Sequence, residues 1–261
     1  MNDSNIIEIK GSKIATETFL TDRILQSEKE KQCLRSAIAE LYLLAFPHLP
    51  EDKRKICIDD YVTPGCGNFR RQVILLKNER GRLIAANICN CGKFAYEGNT
   101  VNGVYLISTA VLPEYQSHGI GKHIGVKLLT ELRPDVFFTT STQSSALHSR
   151  VRLVEKELVN GYDVYPRLVK KEEGEILVTV PYKDLDFAIN AFIQTYLGIV
   201  DGNWKKVHEA VRNLTVLMVR KDLQEENEEV NPWEKNGRED RLAKALGVKP
   251  KDAVLVMFKK Q

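Results

Sequence analysis

Residues 104–141 read VYLISTAVLPEYQSHGIGKHIGVKLLTELRPDVFFTTS, and no other stretch constrains the fold as much. An apolar, β-branched run (104–112) enters Pro113, and a loop of little side-chain bulk follows, carrying Gly119 and Gly121. Ile120, Ile124, Leu128 and Leu132 then recur every four residues, as on one face of an α-helix, until Pro134 ends the pattern. Residues 135–141 form a short strand whose unbroken Val136-Phe137-Phe138 is the mark of burial on both faces. Strand, helix and buried strand in that order specify a crossover between parallel strands.

The surroundings are of a different kind. Ser27 to Glu30 forms a capping box ahead of Leu34, Ile38, Leu41, Tyr42 and Ala45, a helical face stopped by Pro47. Residues 51–70 read as a loop rich in charge, proline and glycine. Two strands, 72–78 and 82–94, are joined by Glu79, Arg80 and Gly81, and the strand 104–112 pairs antiparallel with the second. A helix over 144–158, stopped by Gly161, follows the buried strand. The fold class is therefore α+β: a mixed, mostly antiparallel sheet flanked by helices.

Beyond residue 160 the patterns weaken. YDVYPRLVK and EILVTVPYK look like strands, and 183–220 reads as a helical hairpin whose second helix carries Val207, Val211, Leu214 and Met218. Eleven of the twenty residues from Lys221 to Asp240 are charged, which marks an exposed loop. A short helix around Leu242–Leu246 and a closing strand, AVLVMFKK, complete the chain. The expected organisation is a core over 1–170 and an extension over 171–261, with the last strand returning to the core sheet.

Composition excludes more than it assigns. A net charge of +3 on 261 residues is too mild for a nucleic-acid or membrane-surface protein. The start lacks a signal-peptide pattern, and no stretch has the apolar length of a membrane span, so a cytoplasmic protein is expected. The five cysteines show no zinc-ligand spacing, so no metal is expected.

GIGKHIG invites two familiar readings that its chemistry rejects. A P-loop needs a hydroxyl after its lysine, but His123 follows Lys122, and Gln116 stands where the first glycine belongs. A dinucleotide fingerprint starts straight after its strand, but PEYQSH intervenes. What remains is a run of backbone N–H groups, Gln116 to Gly121, at a helix N-terminus. Those donors lack intrahelical partners, and the helix dipole adds roughly half a positive charge. A diphosphate suits such a site, with glycines at 119 and 121 removing Cβ atoms from its path.

VLPEYQSHGIGKHIGVKLL resembles the acyl-CoA-binding motif of the GCN5-related N-acetyltransferases, [Q/R]-x-x-G-[I/L/V]-G-x, and the element order over about 27–165 agrees with that family. The resemblance implies acetyl-CoA as acyl donor. The backbone at Val111 and Leu112 would hold the pantetheine arm, and the amides of Gln116, Ser117, His118, Gly119, Ile120, Gly121 and Lys122 would wrap the diphosphate. Gln143, between Thr142 and Ser144, would flank the pantetheine. The strand bearing Val111 would splay from the strand 135–141, with the thioester in the cleft and the Leu112 N–H available to an oxyanion.

The family's acid–base groups are not evident. The strand carries no carboxylate, and Ser108 with Thr109 could only hold a water. The family's tyrosine acid falls at Arg150 or Glu157, depending on the direction of counting. Candidate catalytic residues by proximity are Ser108, His148 and Tyr162, with Tyr165 beside them. The expected function is an N-acetyltransferase acting on an amine, in a small molecule or a protein, by direct attack in a ternary complex. A homodimer is a further expectation. The alternative is a non-catalytic acyl-CoA sensor or interaction module of the same fold.

Overall fold

The computed structural model describes residues 5–9, 11–24, 26–65, 68–141, 149–150, 153, 159–165, 167–170, 176–180, 187, 191, 217–219, 234–235, 238–239 and 252–261. The chain opens with β1 (Asn5–Ile9) and β2 (Ser12–Leu20), an antiparallel pair turned at Gly11, whose φ is +80°. The short helix α1 (Thr21–Ile24) leads to α2 (Glu28–Ala45), where Ser27 Oγ accepts the Glu30 amide at 3.3 Å. Leu34, Ile38, Leu41 and Tyr42 are its buried face.

Helix α3 (Glu51–Asp60) occupies the first half of the loop expected over 51–70. Its sequence, EDKRKICIDD, hides the helix because Ile58 is its single buried residue, so no apolar stripe marks it. The meander is also longer than expected. Strands β2, β3 (Phe69–Asn78), β4 (Leu83–Tyr96) and β5 (Asn99–Val111) pair antiparallel in chain order. The last turn is held by Glu97 and Gly98, both at positive φ, the geometry of the tight turns that match strand twist.

After a 3₁₀ turn (Pro113–Tyr115), α4 (Ile120–Leu132) crosses to β6 (Val136–Ser141), which lies parallel to β5 from Gly103↔Val136 to Leu106↔Thr139. β7 (Tyr162–Tyr165) follows, then a separate hairpin of β8 (Arg167–Lys170) and β9 (Ile176–Val180). β10 (Leu217–Val219) pairs with the final strand, β13 (Asp252–Lys260). β11 (Glu234–Lys235) and β12 (Arg238–Glu239) form a small pair inside the segment read as a charged loop. The main sheet runs β1-β2-β3-β4-β5-β6-β13-β10, with β7 also on β13.

The closing strand thus sits beside β6, with Val254 opposite Ser141 and Lys259 opposite Val136. The expected second helix of the hairpin fails at its end: Met218 lies in β10 opposite Ala253. The run Leu-Met-Val serves a strand as well as a helix, and a free sheet edge rewards the strand. Phe187 and Ala191 are helical and buried, while Val207, Val211, Leu214 and the expected helix around Leu242 lie outside the described residues.

Alternation divides the core. Phe137, Val256 and Phe258 join the cluster containing Leu34, Ile38 and Tyr42 of α2 and Ile124 and Leu128 of α4. Val136, Phe138, Leu255 and Met257 face the other way, toward Phe187 and Ala191. Both faces of β6 are covered, which accounts for its unbroken apolar run. Each fully buried Leu, Ile or Phe contributes roughly 1.5–3 kcal/mol relative to exposure.

Candidate functional site

Strands β5 and β6 part company at one point. Their pairing ends at Leu106↔Thr139, while β5 continues to Val111 and β6 to Ser141 along β13. On its other side, β5 has a bulge: Leu106 faces Cys89 and Ser108 faces Ile88, leaving Ile107 opposite no residue of β4. A bulge bends its strand and frees the extra residue's main chain. Ile107 therefore stands at the fork of two diverging strands, unpaired in register on both sides.

The loop after β5 is built by its own hydrogen bonds. The Leu112 amide donates to Ile84 O at 2.9 Å, the Tyr115 amide to Leu112 O at 2.9 Å and the Gln116 amide to Pro113 O at 3.1 Å. Gln116 Nε2 folds back on Val111 O at 3.1 Å. Two positive φ values, +63° at Ser117 and +84° at Gly119, then turn the chain into α4. The first helical bond runs from the His123 amide to Gly119 O at 2.9 Å.

Those bonds sort the expected anion donors. The amides of Gln116 and His118 are engaged, the latter with Tyr115 O at 3.4 Å. Among the described residues, no carbonyl accepts from the amides of Ser117, Gly119, Ile120, Gly121 or Lys122. Ser117, Gly119 and Lys122 are exposed and Ile120 is buried. Among the described residues, a Cβ added at Gly119 or Gly121 would meet nothing within 4 Å. The left-handed φ accounts for Gly119. Gly121 is an ordinary helical residue in open space, so the folded chain alone gives no reason for a glycine there.

The Leu112 amide is a correction to the sequence reading: it is spent on Ile84 and offers nothing to an oxyanion. Ile107, without a register partner on either side, is the main-chain position that the fork leaves at the site. Sequence reasoning missed it because a bulge arises from pairing between strands and has no residue signature in VYLISTAVL.

Of the candidate catalytic side chains, the two that are described, Ser108 and Tyr162, do not share a partner. Ser108 Oγ shares a 2.6 Å hydrogen bond with Tyr42 OH of α2, and burial pushes the Tyr42 phenol up to about 12. Tyr61, after α3, is fully buried, its ring centroid 6.0 Å from that of Tyr42 and its phenol well above the ordinary value through burial. Asn87 Nδ2 donates to Ser108 O and Thr109 Oγ1, both at 2.8 Å. Tyr162 is remote: its hydroxyl donates to Pro134 O at 2.8 Å and ties β7 to the end of α4. Gln143 and His148, with Thr142 and Ser144, lie outside the described residues.

Tyr42 and Asn87 were legible only as core. Tyr42 falls on the apolar stripe of α2. Asn87 stands in an apolar run of β4, and a buried amide among Ala86 and Ile88 is the signal that was there to be read. Among the described residues, no group of His, Cys, Asp and Glu is placed to hold a metal, and no helix is long and apolar enough to cross a membrane.

No family model and no curated protein matches this chain. Solved structures do match. Many of them are GCN5-related N-acetyltransferases. One is the GCN5-related glucosamine N-acetyltransferase region of a fungal multi-domain β-N-acetylglucosaminidase, at 12% identity over 61% of this chain and 18% of that chain, TM-score 0.38. Another is a GCN5-related N-acetyltransferase from Kribbella flavida, at 15% identity over 51% of this chain and 32% of that one, TM-score 0.34. A third is an aminoglycoside antibiotic 6′-N-acetyltransferase from Acinetobacter baumannii, at 14% identity over 60% and 97%, TM-score 0.34. The match thus spans well under two thirds of the first two chains.

Proposed function

We propose that this protein is an N-acetyltransferase that moves an acetyl group from acetyl-CoA to an amine by direct attack in a ternary complex. One observation carries the reading: a fork between β5 and β6 opens beside a helix start whose first amides have no acceptor among the described residues. The amides of Ser117, Gly119, Ile120, Gly121 and Lys122 would hold the diphosphate, with the glycines leaving it room. Val111 and its neighbours on β5 would flank the pantetheine arm. The core of the enzyme would comprise residues 1–170 together with β13.

The chemistry asks little of acid–base groups. Acetyl-CoA supplies a thioester whose leaving thiol has a pKa of about 8.5, so it can depart as thiolate. The Ile107 N–H at the fork would donate to the oxyanion of the attacked carbonyl, where a fixed dipole is worth most. Tyr42 and Ser108 are both protonated near neutrality, so they can hold and pass a proton but cannot start the reaction as bases. The acceptor therefore reacts as its free amine, and the rate should climb with pH toward the acceptor's own pKa.

The protonated Tyr42–Ser108 pair also favours a second reading, an acyl-CoA-binding module without turnover. Equilibrium binding of acetyl-CoA combined with thiol release across a panel of small and peptide amines separates the two. The transferase reading expects saturable binding and amine-dependent thiol release. Binding without release for any amine selects the module, and no binding of acetyl-CoA defeats both.

A further inference from the structure

Arg150 lies in the helical segment after β6, with 7% of its surface exposed. Its Nη1 donates to Gly121 O at 2.8 Å. The guanidinium sits against the groove that Gly121 and Gly125 leave on α4: a Cβ at Gly125 would fall 2.9 Å from Nη1. A guanidinium carries five N–H donors. Among the described residues, Gly121 O is its one acceptor, and none of the ion pairs includes it.

Burying a cation without a counter-ion costs several kcal/mol. Burial pulls the Arg150 guanidinium down to about 10, and among the described residues no carboxylate holds it up. A structural tie to one carbonyl does not require that charge, since an amide or hydroxyl would serve. The arrangement makes sense when the missing anion arrives with a ligand. The amides of Gly119, Ile120, Gly121 and Lys122, which have no acceptor among the described residues, are within about one helical turn (~5.4 Å) of the carbonyl that Arg150 holds.

We infer that Arg150 is a further cofactor-binding residue whose buried positive charge, pinned beneath the first turn of α4 through Gly121 O, compensates the phosphate charge of the acyl donor. The inference rests on the acyl-CoA reading above. It adds a specificity: the site selects phosphate-bearing donors over the bare pantetheine thioester. Arginine suits this role because its planar fork bonds the carbonyl with one edge while its delocalised charge stays weakly hydrated.

The test compares calorimetric binding of acetyl-CoA and of acetyl-pantetheine, which lacks every phosphate, in the full chain. The wild type should prefer acetyl-CoA by at least about 100-fold. Arg150→Met should cut that preference about ten-fold or more by weakening acetyl-CoA alone, in keeping with a charge-assisted contact. It should also flatten the dependence of acetyl-CoA affinity on salt. Arg150→Lys, which keeps the charge, should retain most of the preference and decides the matter if the methionine variant does not fold. Equal weakening of both ligands in either variant, or an unchanged preference in Arg150→Met, overturns the inference and leaves the acyl-CoA reading standing. Absence of acetyl-CoA binding in the wild type overturns both.

Discussion

Among the described residues, an added Cβ at Gly121 would meet nothing within 4 Å, whereas at Gly125, one turn further along α4, it would lie 2.8 Å from Leu153 Cδ1 and 2.9 Å from Arg150 Nη1. The two glycines look alike in GKHIG. One is favoured by the protein's own packing, because a side chain there would have to push aside the ends of Leu153 and Arg150. The other costs the helix roughly 0.5–1 kcal/mol relative to alanine and returns nothing within the folded chain. A glycine that costs stability, on a turn with spare donors, is what the proposed diphosphate site would need.

The largest effect is expected at Gly125. Gly125→Leu should destabilise the protein by about 2–4 kcal/mol in urea denaturation, since the new side chain must displace Leu153 and Arg150. If the variant is as stable as wild type, the packing half of the contrast is wrong. Tyr42→Phe removes the bond to Ser108 and should cost about 1 kcal/mol. The same substitution bears on pH. The folded-state phenol is raised from 10.0 to about 12, so its contribution is complete below pH 10 and lost as pH rises toward 12. The unfolding midpoint of the wild type should fall across that window, and Phe at 42 should make the fall shallower. The smallest effect belongs to the other glycine: Gly121→Ala should raise stability by about 0.5 kcal/mol, because the methyl group enters open space in a helix. A loss of stability there would mean that the site is packed from within.

What the sequence made legible follows the same division. The capping box at Ser27, the period of Ile120, Ile124 and Leu128, and the doubly covered strand around Phe137 are local patterns, and each became the element it implied. Helix α3 was invisible because it buries Ile58 alone. The β1–β2 hairpin went unread because Ile6 and Ile7 lie on an edge strand, where alternation is weak. The candidate site shows the same limit. Gly119 and the run of amides were readable from composition at a helix start. The bulge at Ile107 and the loss of the Leu112 amide to Ile84 are consequences of strand register, which no window of residues contains. Arg150 appeared in the sequence only as a misfit where a tyrosine was sought, and its meaning depends on Gly121 and Gly125 lying beside it.

Gly121→Glu decides whether the amides at the start of α4 grip a diphosphate. The carboxylate enters open space on the first turn of a helix, where acidic side chains are favourable, so the melting temperature should stay the same or rise. The same carboxylate stands where the anion must sit, so acetyl-CoA affinity measured by calorimetry should fall at least 100-fold. Unchanged affinity in a variant that melts no lower than wild type would contradict the account.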